Sequence, residues 1–269
     1  MGLERYAREQ FSDGGVTHDV YRRGEGPAVI VVAEVPGITP AVIAFADRVV
    51  DLGLTAVLPH LFGVPEGAAR NPLNLGRTFA HVCVSREFNL FGLRKQSPVT
   101  DWLRALGRRE HERCGGPGIG MIGMCLTGGF GLAMMADDWM LAPVLSQPSL
   151  PAPVGRARKR DLGIDDATLA RIKQRAADGA CVMGMRFTGD RLSPGARFQR
   201  LREELGDAFI AIEIDSSIGN PHGNLPIAHS VVTEDLKDRP GHPTRQALDQ
   251  VLDFYRERLL APAPAATGA

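Results

Sequence analysis

Residues Gly118–Met135 read GIGMIGMCLTGGFGLAMM, and this stretch decides the fold. Ile119–Gly123 is a short apolar run of strand type, and Gly128–Met135 is a run of small and apolar residues suited to a tightly packed helix. Between them stands one nucleophilic side chain, Cys125, with Gly123 two residues before it and Thr127, Gly128 and Gly129 just after. A sharp strand-to-helix turn strains the backbone at its centre, so it needs small neighbours, and it carries the central side chain to the edge of the sheet. The chemistry suits the place. A free thiol has a pKa of about 8.5, so only a few per cent is thiolate at neutral pH, and the unpaired amides and dipole of a helix N-terminus favour the anion. The Leu126 amide would point at the oxyanion of an acyl intermediate. Most cysteines are small buried hydrophobes; the turn is what favours the reactive role here. Gly118, Gly120 and Gly123 also spell a dinucleotide-binding Gly-x-Gly-x-x-Gly, but they precede or lie within the strand, and no acid follows about 20 residues later at a second strand end. No nicotinamide or flavin site is expected.

Outward from this stretch, apolar runs alternate with helical patterns. Strands are expected at Ala28–Ala33, Ala56–Leu58, Ile119–Gly123, Leu141–Leu145, Cys181–Phe187 and Phe209–Ile214. Helices are expected from Thr39 or Pro40 to Leu52, at Pro98–Leu106, Gly128–Met135, Asp165–Ala177 and Pro194–Leu205, and from about Pro243 to Leu260. Gly63–Arg77, rich in Gly, Pro and Asn, reads as an irregular excursion, and the basic run Arg156–Arg160 as a solvated loop. This alternation implies parallel β-α-β units, a sheet covered on both faces, and ligands at the carboxyl ends of its strands. No repeat or linker divides the chain, so a single α/β domain is expected over residues 1–269, folded from about 16 to 262 with a disordered tail.

Composition narrows the function. The 269 residues are 44% hydrophobic and 23% charged, and 31 basic residues balance 31 acidic ones. A neutral chain lacks the basic excess of a nucleic-acid binder. No stretch approaches the roughly 20 apolar residues of a membrane span, and the N-terminus has no signal-peptide run, so a cytoplasmic protein is expected. Cys83, Cys114, Cys125 and Cys181 form no Cys-x-x-Cys pair. His81 with Cys83, and His111 with Cys114, are too loosely spaced for a zinc site, and no metal is expected.

A thiol nucleophile needs a base and a group to orient it. Asp190 lies just past the strand Cys181–Phe187, on a turn between Gly189 and Pro194, where aspartate also serves as an ordinary turn or cap residue. Of the seven histidines, His222, His229 and His242 follow Asp190; His242, before Pro243, fits a helix cap, which leaves His229 and His222. Glu34 is an acid directly after an apolar strand, and a buried lone carboxylate is costly unless paired.

Four places in the sequence resemble the dienelactone hydrolases, a cysteine-using branch of the α/β-hydrolases: Ala33-Glu-Val-Pro-Gly37, Gly123-Met-Cys-Leu-Thr-Gly-Gly129, Thr188-Gly-Asp-Arg-Leu-Ser-Pro194 and Ala228-His-Ser230. The order Cys, Asp, His is that of the fold. The resemblance spans most of Tyr21 to Leu260. It implies a mostly parallel sheet flanked by helices on both faces, a triad of Cys125, His229 and Asp190, and Glu34 touching the thiol and helping to deprotonate it. It implies an oxyanion hole from the Val35 and Leu126 amides. It also implies an arginine for a substrate carboxylate, for which Arg86 is the best match; the second such arginine is matched by Thr233. Arg186 and Arg191, beside the acid loop, are expected to have surface roles. The expected activity is hydrolysis of a lactone or ester through an acyl-enzyme, without a cofactor, on a small-molecule substrate, by a monomer or homo-oligomer. A thioesterase or acyltransferase on the same site, or a catalytically silent binding protein of the same fold, are the alternatives. The Thr233 departure and the Ala152–Gly179 segment bear on the choice of substrate.

Overall fold

The computed structural model describes residues 2–67, 97–150 and 155–260. Eight strands form one sheet: β1 Ala7–Asp13, β2 Val16–Arg23, β3 Ala28–Val32, β4 Thr55–His60, β5 Ile119–Met124, β6 Met140–Ser146, β7 Val182–Phe187 and β8 Phe209–Ile214. Their spatial order is β1-β2-β4-β3-β5-β6-β7-β8. The six strands from β3 onward are parallel to one another, and β1 and β2 join the β4 edge antiparallel. The first two strands were not anticipated, and the fold begins earlier than residue 16, with a helical turn at Leu3–Arg5 and β1 from Ala7. Their burial explains the miss. β1 is an edge strand with no buried residue, so its sequence lacks an apolar face. Gly14 and Gly15, both at positive φ, make the tight turn that returns the chain into β2.

Each parallel strand sends alternate side chains to opposite faces. From β3, Val29 and Val31 join one core with Ile122 of β5, while Ala28, Ile30 and Val32 join another with Ile119 and Met121. Helices α1 (Pro40–Asp51) and α7 (Pro243–Tyr255) cover the first face through residues such as Phe45, Val49, Leu248 and Val251. The second face is covered by α2 (Pro98–Cys114) and α3 (Gly128–Met134). The short α4 (Arg156–Arg160) replaces the loop expected for the basic run, and α5 (Asp166–Ala177) and α6 (Gly195–Leu205) complete this side. A fully buried Val or Ile contributes about 1.5–3 kcal/mol, so a strand buried on both faces is held by its side chains as much as by its ladder. Capping matches the sequence signals. Thr39 accepts the Val42 amide, Asp165 the Thr168 amide, and the His242 ring the Thr244 amide. α2 runs eight residues past its expected end at Leu106, to Cys114, where Gly115 at positive φ stops it. Among the described residues no helix is long and apolar enough to cross a membrane.

Arg86, the histidine and cysteine at 81 and 83, most of the excursion expected at 63–77, and the tail beyond 260 lie outside the described residues.

Candidate active site

The turn after β5 is held by contacts that fix its residue types. Cys125 has φ of +56°, a left-handed conformation that non-glycine residues rarely adopt. A Cβ on Gly123 would lie 2.1 Å from the Thr127 carbonyl oxygen, and one on Gly128 would lie 2.7 Å from Pro148 Cα, so both positions require glycine. Thr127 is fully buried. Its hydroxyl accepts the Met124 amide at 2.8 Å and donates toward the end of β3, 3.0 Å from the Val32 carbonyl. It thereby ties the turn to the strand that leads into Glu34 and Val35. The Ser149 amide donates to the Cys125 carbonyl at 2.8 Å and closes the other side. Leu126 is the second residue of a helical turn, Cys125–Thr127, and the first amides of a helix have no partner within it. The Val35 amide likewise donates to no described residue.

Asp190 follows β7 and His229 follows β8. The His229 Nδ1–H donates to Asp190 Oδ2 at 2.7 Å, and the Asp190 carboxylate is almost wholly buried. Its other oxygen accepts the Leu192 amide at 2.9 Å. With Nδ1 engaged, the ring's second nitrogen, Nε2, is buried and makes no hydrogen bond of good geometry. The Cys125 thiol is the neighbour that acts on it. Burial opposes charge on this ring, but the bond to Asp190 and the thiol outweigh it and raise the pKa to about 11. Catalytic hydrogen bonds are commonly loose before substrate binds. The histidine turn is anchored by Asp235, whose Oδ2 accepts the His229 and Ser230 amides at 2.8 and 3.0 Å. His222, the alternative base, is bound instead to the cap of α7, where its carbonyl faces His242 Nε2 at 3.2 Å.

Glu34 is buried at the end of β3. Ser230 Oγ donates to its Oε2 at 2.7 Å, Gln147 Nε2 donates to the same oxygen at 3.0 Å, and the Thr233 hydroxyl donates to Oε1. Burial raises the carboxyl pKa; the hydroxyls of Thr233 and Ser230 and the charge of His229 work against that rise, and Glu234 adds to it. Among the described residues the thiol is not one of its hydrogen-bond partners. Its bonds bolt the histidine loop to the β3 end.

Sequence reasoning missed this cage and one more support. Gln147 carries no motif, Ser230 stood out only as the residue after His229, and Thr233 only as a missing arginine. Arg186 is not a surface residue: it is buried in β7. Its Nε donates to the Ser193 carbonyl at 2.6 Å, and its Nη2 to the carbonyls of Thr188 and Asp190 at 3.0 and 3.4 Å. Its Nη1 pairs with Glu213 at 2.7 Å. The acid loop is thus wrapped around one guanidinium. Arginine in an apolar strand is the only sequence signal for it. Arg191, in contrast, is exposed.

Glu34, Val35, Cys125, Gln147 and Asp190, just past β3, β5, β6 and β7, and His229, on the long loop after β8, lie beyond the carboxyl ends of the parallel strands, where open α/β sheets bind ligands. Solved structures with the same architecture include a Klebsiella pneumoniae subsp. pneumoniae protein described as a candidate dienelactone hydrolase, with TM-score 0.61 and 16% identity over 94% of this chain and 98% of that one. P91, a dienelactone hydrolase-like promiscuous phosphotriesterase from metagenomic libraries, matches with TM-score 0.61 and 15% identity over the same shares. Est1E from Butyrivibrio proteoclasticus matches with TM-score 0.56 and 11% identity over 93% of this chain and 98% of that one. No protein-family model and no curated protein sequence matches the chain. The chain has the α/β-hydrolase fold, and in overall structure it resembles dienelactone hydrolase-like proteins.

Proposed function

We propose that the protein is a cysteine-dependent hydrolase of a lactone or other ester. The observation that carries this reading is the 2.7 Å Asp190–His229 pair, with the Cys125 thiol acting on the same imidazole from a turn at positive φ. The proton of Cys125 rests on His229, whose raised pKa keeps the ring protonated, and the Sγ attacks the ester carbonyl. The amides of Val35 and Leu126 hold the oxyanion. The tetrahedral intermediate collapses, the C–O bond to the leaving group breaks, and His229 returns the proton to that oxygen. Water, deprotonated by His229, then attacks the thioester and frees the acid and the thiol. Asp190 fixes the ring's tautomer and supports its cation. Glu34 holds the histidine loop in place and, as a neighbouring carboxyl, acts on the charge of His229.

The test is hydrolysis of a dienelactone and of an activated simple ester by the wild type and by Cys125→Ala, with mass spectrometry of the quenched enzyme. The wild type should turn over and carry an acyl adduct. The variant should lose on the order of 10³-fold or more in kcat, as expected when the nucleophile of such a unit is removed. A variant as fast as the wild type would refute the nucleophile.

A further inference from the structure

Beside the candidate catalytic pair, aliphatic side chains stand in water. Leu192 on the acid loop is 50% exposed, and Ile218 and Ile227, on the segment between β8 and the histidine, are 92% and 85% exposed. Single exposed hydrophobics are ordinary, but a cluster of them marks a surface that binds something. These three are gathered: with Pro226 they line one cleft of about 610 Å³, and the same cleft is walled by Asp190 and His229. That volume is within the range of small-molecule pockets, about 300–1,000 Å³.

The polar side of the site narrows what can enter. Thr233, which stands where the resemblance implies a carboxylate-binding arginine, is buried and turned inward to Glu34. Glu34 in turn is held by neutral donors. Among the described residues the cleft's wall sets these four apolar side chains beside one exposed cation, Arg191, the hydroxyls of Ser216 and Ser217, and Asp190, whose carboxylate is engaged by His229 and the Leu192 amide.

We infer that this cleft is the subsite for an uncharged aliphatic chain carried by the ester, so that the protein prefers neutral, apolar esters to anionic lactones. The inference rests on the ester-hydrolase reading of the same site. The cleft adjoins the site through Asp190 and His229 and not through Cys125, so a chain leaving the carbonyl at Cys125 would cross the ring of His229 to lie against Leu192, Ile218, Pro226 and Ile227. The apolar gain is available only to chains long enough to reach them.

The test compares p-nitrophenyl octanoate with p-nitrophenyl acetate, using the wild type and an Ile218→Asp/Ile227→Asp double variant. These side chains are exposed, so the substitutions leave the core intact, which circular dichroism checks. The octanoate-to-acetate ratio of kcat/KM should exceed unity in the wild type and fall by about tenfold or more in the variant, the equivalent of about 1.4 kcal/mol. An unchanged ratio overturns the inference while leaving the hydrolase reading intact. So does an altered sedimentation mass with an unchanged ratio, which would make the patch an interface between copies of the chain. So does a preference for a dienelactone that Arg191→Ala abolishes. If neither ester is hydrolysed, the hydrolase reading fails, and titration with 1-octanol, which carries no charge, decides the subsite by itself: binding weakened by the double variant supports it, and binding unaffected by the variant overturns it.

Discussion

His229 and Thr127 show how much a single side chain decides in this site. The folded-state pKa of His229, about 11, lies above its ordinary 6.5. The protonated ring therefore contributes stability fully below about pH 6.5, and that contribution is lost as pH rises toward 11. Asp190→Asn removes one of the two groups that raise the pKa. The variant should lose the alkaline part of this pH dependence, and its imidazole should titrate at lower pH by NMR; an unmoved titration would show that Asp190 does not support the cation. Its kcat should fall on the order of 10³–10⁴-fold if the tautomer is lost as in other triads. Thr127 makes a different point. At the sequence level it is a departure from the glycine common after such a nucleophile. In the fold its hydroxyl satisfies the buried Met124 amide and reaches the Val32 carbonyl. Thr127→Val keeps the shape and strands these groups, so urea unfolding should report a loss of about 1–3 kcal/mol. A loss of a few tenths would mean that water replaces the hydroxyl.

The element that most needs explaining is the acid loop between β7 and α6. Its backbone carbonyls at Thr188, Asp190 and Ser193 converge on Arg186. Arg186→Met would leave them unpaired, while Glu213 would keep its bond to Arg202. The expected outcome is a loss of about 1–3 kcal/mol in stability and a displaced pH profile of kcat/KM, because the aspartate that orients His229 is no longer held. Arg186→Lys should restore part of the stability and less of the profile, since an ammonium cannot span three carbonyls as a planar fork does. A variant with normal kinetics and low stability would make the residue merely structural. Five of the six parallel strands, β3 to β7, were legible because burial on both faces leaves short, continuous apolar runs, and β8, an edge strand, was legible because its side chains Phe209, Ile210, Ala211, Ile212 and Ile214 are apolar. The β1–β2 hairpin was not: β1 is an exposed edge with no apolar period, and β2 buries only Val16, Val20 and Tyr21 amid polar residues. The loops carrying Cys125 and Asp190 were marked by turn chemistry, and His229 stood apart from His222 through the resemblance of its loop. The supports under them were not: Gln147 reaches a carboxylate 113 positions away, and Arg186 and Asp235 bind backbone groups two to seven residues off, contacts that follow from loop conformation and leave no residue pattern.

At the scale of the molecule, the site is closed by one buried carboxyl that joins the first parallel strand to the histidine loop. Glu34 and Ser230 are 196 positions apart and share a hydrogen bond, and Thr233 closes the same link. Strands β4 to β8 lie between these two segments in the chain, so this contact forms only when β3, β5, β6, β7 and β8 are stacked in order. Its electrostatics have a definite sign. Burial raises the folded-state pKa of Glu34 above 4.5, and Glu234 adds to this; Thr233, Ser230 and His229 oppose it without reversing it. The folded protein therefore binds this proton more tightly than the unfolded chain does. Its stability must fall as pH rises from about 4.5 through the folded-state value, and the full cost is present above that value. Glu34→Gln keeps an oxygen acceptor in the cage and removes the charge. Relative to the wild type, the variant should gain stability between pH 5 and pH 8, as measured by urea unfolding at both. It should also lose activity if the carboxylate acts on His229 during the reaction. A wild-type-to-variant difference that is the same at both pH values would mean that Glu34 is ionised throughout and that its cage of hydroxyl and amide donors offsets burial completely.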